Sequence, residues 1–115
     1  MRFGLYNIQR TESELNKLKE QVFELKQKLG AIIVAHNYQI AEVQDIADFV
    51  GDSFELSRRC ADAKAKTIVF CGVDFMAETA AILNPNATVL LSAATACCPM
   101  AEMIDENDLA EWKVK

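Results

Sequence analysis

Three short apolar runs punctuate the chain, separated by segments of helical periodicity. This alternation constrains the fold more than any other feature. The runs are "AIIVAH" from Ala31, "TIVFCG" from Thr67 and "ATVLLSA" from Ala87. "AEVQDIADFV" and "SFELSRRCADAKA" lie between the first two, and "DFMAETAAIL" between the last two. Strands that alternate with helices imply crossover connections and a parallel sheet. Strands that are apolar throughout, rather than at every second residue, imply cover on both faces. The expected fold is α/β: a three-layer α/β/α arrangement with a small parallel sheet of three to four strands, the first strand central. An amphipathic helix should precede it, because Leu15, Leu18, Val22, Leu25 and Leu29 recur at steps of three and four and Gly30 follows. That stripe is too short for a coiled coil.

Local signals set the expected boundaries. Val43, Ile46, Ala47 and Val50 share one helical face that Gly51 should end, and Asp52 with Glu55 reads as a capping box for the next helix. "NPN" at 84–86 should stop the third helix. Pro99 should occupy the first turn of a helix "PMAEMI", and the tail "DENDLAEWKVK" should be helical behind cap-like residues.

Composition narrows the class. A chain of 115 residues with 51% hydrophobic residues suits one folded domain. A net charge of −5 argues against nucleic acid or an anionic membrane as partner, and Arg58–Arg59 is too short to form a basic patch. The N-terminal stretch has no uninterrupted apolar core of a secretory signal, and no run of about 18 apolar residues exists. Cytoplasmic residence is therefore expected, with thiols reduced. The cysteines at 60, 71, 97 and 98 contain no CxxC, so neither a zinc ribbon nor a thioredoxin motif is supported. Adjacent cysteines rarely bond to each other, because the geometry is strained.

In a parallel sheet every strand-to-helix loop lies at one edge, where ligands bind. The three loops bring His36, Asn37, Tyr38 and Gln39, then Gly72 to Phe75, then Thr95 to Pro99 to that edge. The chain's only histidine thus shares an edge with its paired cysteines. Each residue also has a plain structural reading. His36 can be a surface loop residue, Tyr38 a packing aromatic, and Ser53 an ordinary first-turn residue placed where backbone N–H groups attract an anion. Cys60 and Cys71 read as core. Asp45, Asp48 and Asp52 read equally as an acidic cluster or a solvated helix face. Cys98 precedes the expected helix start, where a dipole would favour its thiolate, so a ligand or nucleophile is the preferred reading; Cys97 is secondary.

"AHNYQ", "VQDIADFVGDS", "GVDFMAETAAILNP" and "CPMAEM" closely resemble the opening region of quinolinate synthases, the A proteins of bacterial NAD synthesis, over roughly residues 31–103. The resemblance implies a transferase that condenses iminoaspartate with dihydroxyacetone phosphate to quinolinate. It implies three similar α/β domains, each giving one cysteine to a [4Fe–4S] cluster whose fourth iron is a Lewis acid. By that resemblance Cys98 is the metal ligand of this domain, with Cys97 not ligating. His36 and Tyr38 are catalytic and substrate-contacting, and Ser53 contacts a substrate carboxylate or phosphate. An imidazole at His36 can also relay protons near neutral pH. Residues 1–30 are then a helical extension and 31–115 the first domain, with the other two domains outside the chain. Alone, the chain should neither hold a stable cluster nor turn over substrate. An aspartate oxidase or dehydrogenase is the expected upstream supplier, and a homodimer a further expectation.

Two other classes fit the residues. A non-catalytic module could hold an anion at Ser53 and His36, indifferent to Cys98. A thiol or metal-handling module would use Cys97 and Cys98 equally.

Overall fold

A computed structural model of the chain describes residues 10–114. Residues 1–9, part of the expected helical extension, lie outside the described residues. Helix α1 spans Glu12–Leu29. Its start is a complete capping box: the Glu14 amide donates to Thr11 Oγ1 at 3.3 Å and the Thr11 amide to Glu14 Oε2 at 2.9 Å. Its end is Gly30 at φ 59°, a left-handed conformation that glycine adopts without strain.

Four strands follow: β1 (Ala31–His36), β2 (Phe49–Gly51), β3 (Thr67–Cys71) and β4 (Thr88–Leu91). They form one parallel sheet in the order β2-β1-β3-β4, with β1 and β3 inside. Helix α2 (Ala41–Ile46) links β1 to β2, α3 (Ser53–Asp62) links β2 to β3, and α4 (Asp74–Leu83) links β3 to β4. The chain then forms a 3-10 turn at Ala101–Met103 and a last helix, α5 (Glu106–Lys113).

The pleat divides the sheet into two faces. Val34, Ile68 and Phe70 point to one face and are buried with Leu56 and Cys60 of α3 and Ala77 and Ala80 of α4. Ile33, Ala35 and Cys71 point to the other, under Val22 of α1 and Val43 and Ile46 of α2. This is the expected three-layer arrangement, with Cys60 and Cys71 in the core. Burial pushes both thiols above their ordinary range, and a hydrogen bond with Ser92 pulls Cys71 partly back. The second face is covered mainly over β1. In one cross-strand row Ile33 is 4% exposed, Val69 half-buried and Leu90 of β4 47% exposed.

Two expected boundaries are wrong. The helix expected to run to Val50 ends at Ile46, and residues 49–51 are a strand. Asp48 is the cause. Its amide donates to the Ile33 carbonyl at 2.7 Å, and its Oδ2 accepts the Ile33 amide at 2.8 Å. That pair of hydrogen bonds to β1 pulls the chain into an extended path, and Val50 lands on the strand. The helix expected from Pro99 is only a three-residue 3-10 turn. Ile104 is extended and Asp105 starts a new helix by accepting the amides of Asn107 and Asp108 at 2.8 and 2.9 Å. The strong cap at Asp105 divides the segment, so the run before it is too short to nucleate.

The three acidic residues do separate jobs. Asp45 pairs with Lys19 of α1 at 3.0 Å, Asp48 pairs with Lys26 and Ile33, and Asp52 caps α3. They are neither a cluster nor a merely solvated face; Asp45 ties α1 to α2, and Asp48 ties α1 to the sheet. Among the described residues no helix is long and apolar enough to cross a membrane.

Candidate functional site

Parallel pairing puts the C-terminal ends of all four strands at one edge. His36, the last residue of β1, pairs with Gly51, the last residue of β2. The Asn37 amide donates to the Gly51 carbonyl at 2.9 Å and extends the ladder past the strand end. Ser53 is therefore only two residues beyond the cross-strand neighbour of His36. On the other side of β1, Gly72 follows β3, and a Cβ there would come within 2.9 Å of the Phe70 ring. Because Phe70 is fully buried, its ring cannot give way, and the close approach requires glycine. The loop after β4 is tied to its neighbour by the Asp74 amide, which donates to the Ala96 carbonyl at 2.9 Å. Cys97 and Cys98 follow directly. β4 lies two strand spacings, roughly 10 Å, from β1.

His36 is not a surface loop histidine. It is 6% exposed, and its Nδ1 accepts the Tyr38 amide at 3.2 Å. The Tyr38 ring lies with its centroid 4.6 Å from the imidazole at an angle of 56°. That phenol ring is 90% exposed, so Tyr38 is no core aromatic either. The pair forms one unit: a buried imidazole supporting a tyrosine that stands open to solvent.

A residue not singled out from the sequence holds this unit in place. Gln44 of α2 donates through Nε2 to the Gln39 carbonyl at 2.7 Å and to the Asn37 carbonyl at 3.2 Å, one on each side of Tyr38. The Gln39 amide donates to the His36 carbonyl at 2.9 Å. Gln44 gave no sequence signal, because a glutamine on a short helix is ordinary; only the return of α2 over the loop gives it a task.

Ser53 is the first residue of α3 and half-buried. The cap is Asp52, whose Oδ1 accepts the Glu55 amide at 2.8 Å, leaving the amides of Ser53 and Phe54 outside the helical ladder. The carboxylate of Asp52 already complements that helix end, which weakens the case for a stand-alone anion site there.

The two adjacent thiols differ. Cys98 is half-buried and Cys97 exposed. The Glu102 amide donates to the Cys98 carbonyl at 3.2 Å, closing the turn that follows the pair. A hydrogen bond to Glu102, then the charge of that carboxylate, pushes the Cys97 thiol above its ordinary range. The two positions are thus not equivalent, contrary to what a dithiol module needs. The helix dipole expected to act on Cys98 is missing, since no α-helix begins at Pro99. Among the described residues no three His, Cys, Asp or Glu side chains converge on a point that could hold a metal ion. A cluster held by three thiolates therefore does not fit the donors of this chain by itself; Cys98 offers one partly accessible thiol toward such a set.

Comparison with known proteins sharpens the picture. The family model described as Quinolinate synthetase A protein matches residues 20–115. A quinolinate synthase of Methanoregula boonei is 64% identical over 92 residues, which cover 80% of this chain and 30% of that protein. A quinolinate synthase of Caldicellulosiruptor saccharolyticus is 56% identical over 102 residues, covering 89% of this chain and 34% of the relative. For one from Thermodesulfovibrio yellowstonii the figures are 57% over 98 residues, 85% and 32%. The chain thus spans about a third of the length of the curated relatives it matches.

Proposed function

Because the chain belongs to the quinolinate synthetase A protein family, we propose that it acts as the first α/β domain of a quinolinate synthase in NAD biosynthesis. In this reading residues 31–115 are that domain and residues 1–30 its helical extension, and two further domains complete the enzyme. The reaction is the condensation of iminoaspartate, supplied by an aspartate oxidase or dehydrogenase, with dihydroxyacetone phosphate to give quinolinate. The setting is cytoplasmic, and the complete enzyme is a candidate homodimer.

The observation that carries the reading is the shared sheet edge: His36, Tyr38, the start of α3 at Ser53 and the Cys98 loop all lie there. Each residue has a role its surroundings support. The exposed Tyr38 phenol contacts substrate, and the buried imidazole of His36 supports it and acts on substrate as a hydrogen-bond donor. Ser53, with the free amides of the first turn of α3, hydrogen-bonds a substrate carboxylate or phosphate. Cys98 supplies one thiolate to a [4Fe–4S] cluster whose other ligands come from outside this chain; when bound, the cluster supplies Lewis-acid chemistry at an open iron. An acidic chain can still hold anionic substrates, because amides, a hydroxyl and an imidazole do so without lysines.

The test is anaerobic reconstitution with iron and sulfide, for the chain alone and with the remaining two-thirds of the Methanoregula boonei relative supplied in trans. Sulfur-to-iron charge-transfer absorbance and quinolinate formation should appear only with the partner segment and vanish with Cys98→Ala. Full-strength absorbance in Cys98→Ala overturns the ligand assignment.

A further inference from the structure

We infer that Gln44 is a positioning residue for the His36–Tyr38 pair, and that it locks His36 as the tautomer with its proton on Nε2. The functional consequence rests on the reading of that pair as a substrate site; the placement does not.

The geometry runs from the helix to the ring. A primary amide nitrogen has two hydrogens. Gln44 Nε2 faces two carbonyls, those of Asn37 and Gln39, so both hydrogens are used and the amide cannot be turned end for end without setting oxygen against oxygen. The two carbonyls flank Tyr38. The bond to the Asn37 carbonyl fixes the Asn37–Tyr38 peptide plane, and with it the direction of the Tyr38 amide; the bond to the Gln39 carbonyl anchors the loop just beyond Tyr38. That amide points at Nδ1 of His36 at 3.2 Å. An N–H group can only donate, so Nδ1 must present a lone pair, and the neutral ring carries its hydrogen on Nε2. Among the described residues Nε2 has no hydrogen-bond partner, and no buried side-chain nitrogen or oxygen is left unpaired. Nε2 is therefore the ring atom that reaches solvent, at the edge where Tyr38 stands open.

The consequence is directional. His36 offers a donor, not an acceptor, to whatever enters beside Tyr38. An acceptor oxygen of a carboxylate, phosphate or carbonyl group suits that nitrogen, and a donor does not. Gln44 enforces this choice from a distance without touching the ligand.

Because His36 is the only histidine, its ring nitrogens can be read in the whole chain by nitrogen-15 NMR without assignment ambiguity. At a pH where the ring is neutral, the wild-type spectrum should show an unprotonated Nδ1 and a protonated Nε2. The Gln44 side-chain amide hydrogens should exchange about tenfold or more slowly than those of the exposed Gln21 and Gln27. Gln44→Met keeps the side-chain length and removes both donors. Gln44→Glu replaces donors with acceptors. Both should move the ring shifts toward a mixture of tautomers and speed exchange of the Tyr38 amide, with Gln44→Glu the more severe. A merely packing role predicts that Gln44→Met behaves as wild type, and that result overturns the inference. So does a wild-type ring protonated on Nδ1, or Gln44 amide hydrogens as labile as those of Gln21; these two readings stand even if a variant fails to fold. A failed quinolinate assay would leave all of these outcomes unchanged, so the two readings fail separately.

Discussion

The two halves of the candidate site are built on opposite kinds of structure. His36, Tyr38 and Ser53 rise from the packed body, where Val34, Leu56, Cys60, Ile68 and Phe70 are fully buried. From Ser92 to Val114 no residue is buried, and Met100, Met103 and Trp112 lie open. The imidazole therefore inherits the rigidity of a close-packed core, and the exposed phenol leans on it. The cysteine pair is held by loop hydrogen bonds instead, among them Asp74 to Ala96, Ala96 to Ala93 and Glu102 to Cys98. The contrast teaches that a packed core can prebuild polar contacts at its sheet edge, whereas a segment with no buried residue holds its thiols by loop hydrogen bonds.

Truncation tests the contrast most strongly. Phe70→Ala should cost about 3–5 kcal/mol in a urea titration. Trp112→Ala, although it removes more side chain, should stay within about 0.5 kcal/mol. A comparable loss for both would mean that the C-terminal segment has a core. Asp48→Ala comes next. It leaves the Ile33 amide without its side-chain partner and breaks the Lys26 ion pair, for a cost of about 1–3 kcal/mol. Amide exchange of β2 should accelerate with it, because Asp48 is what diverts α2 into that strand.

A cap deletion separates the regions further. Asp105→Ala should melt α5, costing that helix about 1 kcal/mol, while the unfolding midpoint of the body stays put. Carbon-13 shifts of residues 106–113 alongside a thermal melt would show whether the two respond together, which the contrast forbids.

Thiol chemistry gives the smallest effects. Cys60 and Cys71 should resist alkylation until the protein unfolds. Their raised folded-state values mean that unfolded thiols ionise first. The stability they contribute is complete below the ordinary thiol value of 9.0 and is lost as pH rises above it. Urea midpoints measured across that range should fall. In a Cys98→Ser background, Glu102→Gln should speed alkylation of Cys97, since removing the carboxylate lowers the thiol's value and enlarges the thiolate fraction. An unchanged rate would show that Glu102 does not govern Cys97.

Much of this was readable in advance, and the failures are instructive. The three long strands, the Thr11-to-Gly30 helix, the burial of Cys60 and Cys71, and the gathering of the loops at one edge all follow from periodicity and from parallel-sheet geometry. Residues 47–51 misled because Ala47 and Val50 continue a helical stripe, whereas Asp48 responds to the bonding needs of a strand fifteen residues earlier. Pro99 misled because a favourable first turn does not make a helix when a better cap lies six residues on. Gln44 stayed invisible because its value lies wholly in which carbonyls it meets.

The order of strands and helices, their amphipathic faces and the local caps belong to the sequence, because neighbours along the chain determine them. The fourth strand, the tether of α1 through Asp45 and Asp48, the tautomer of His36 and the inequivalence of Cys97 and Cys98 belong to the tertiary structure. Each of these depends on a donor meeting an acceptor, or a charge meeting a charge, across a gap that only folding closes.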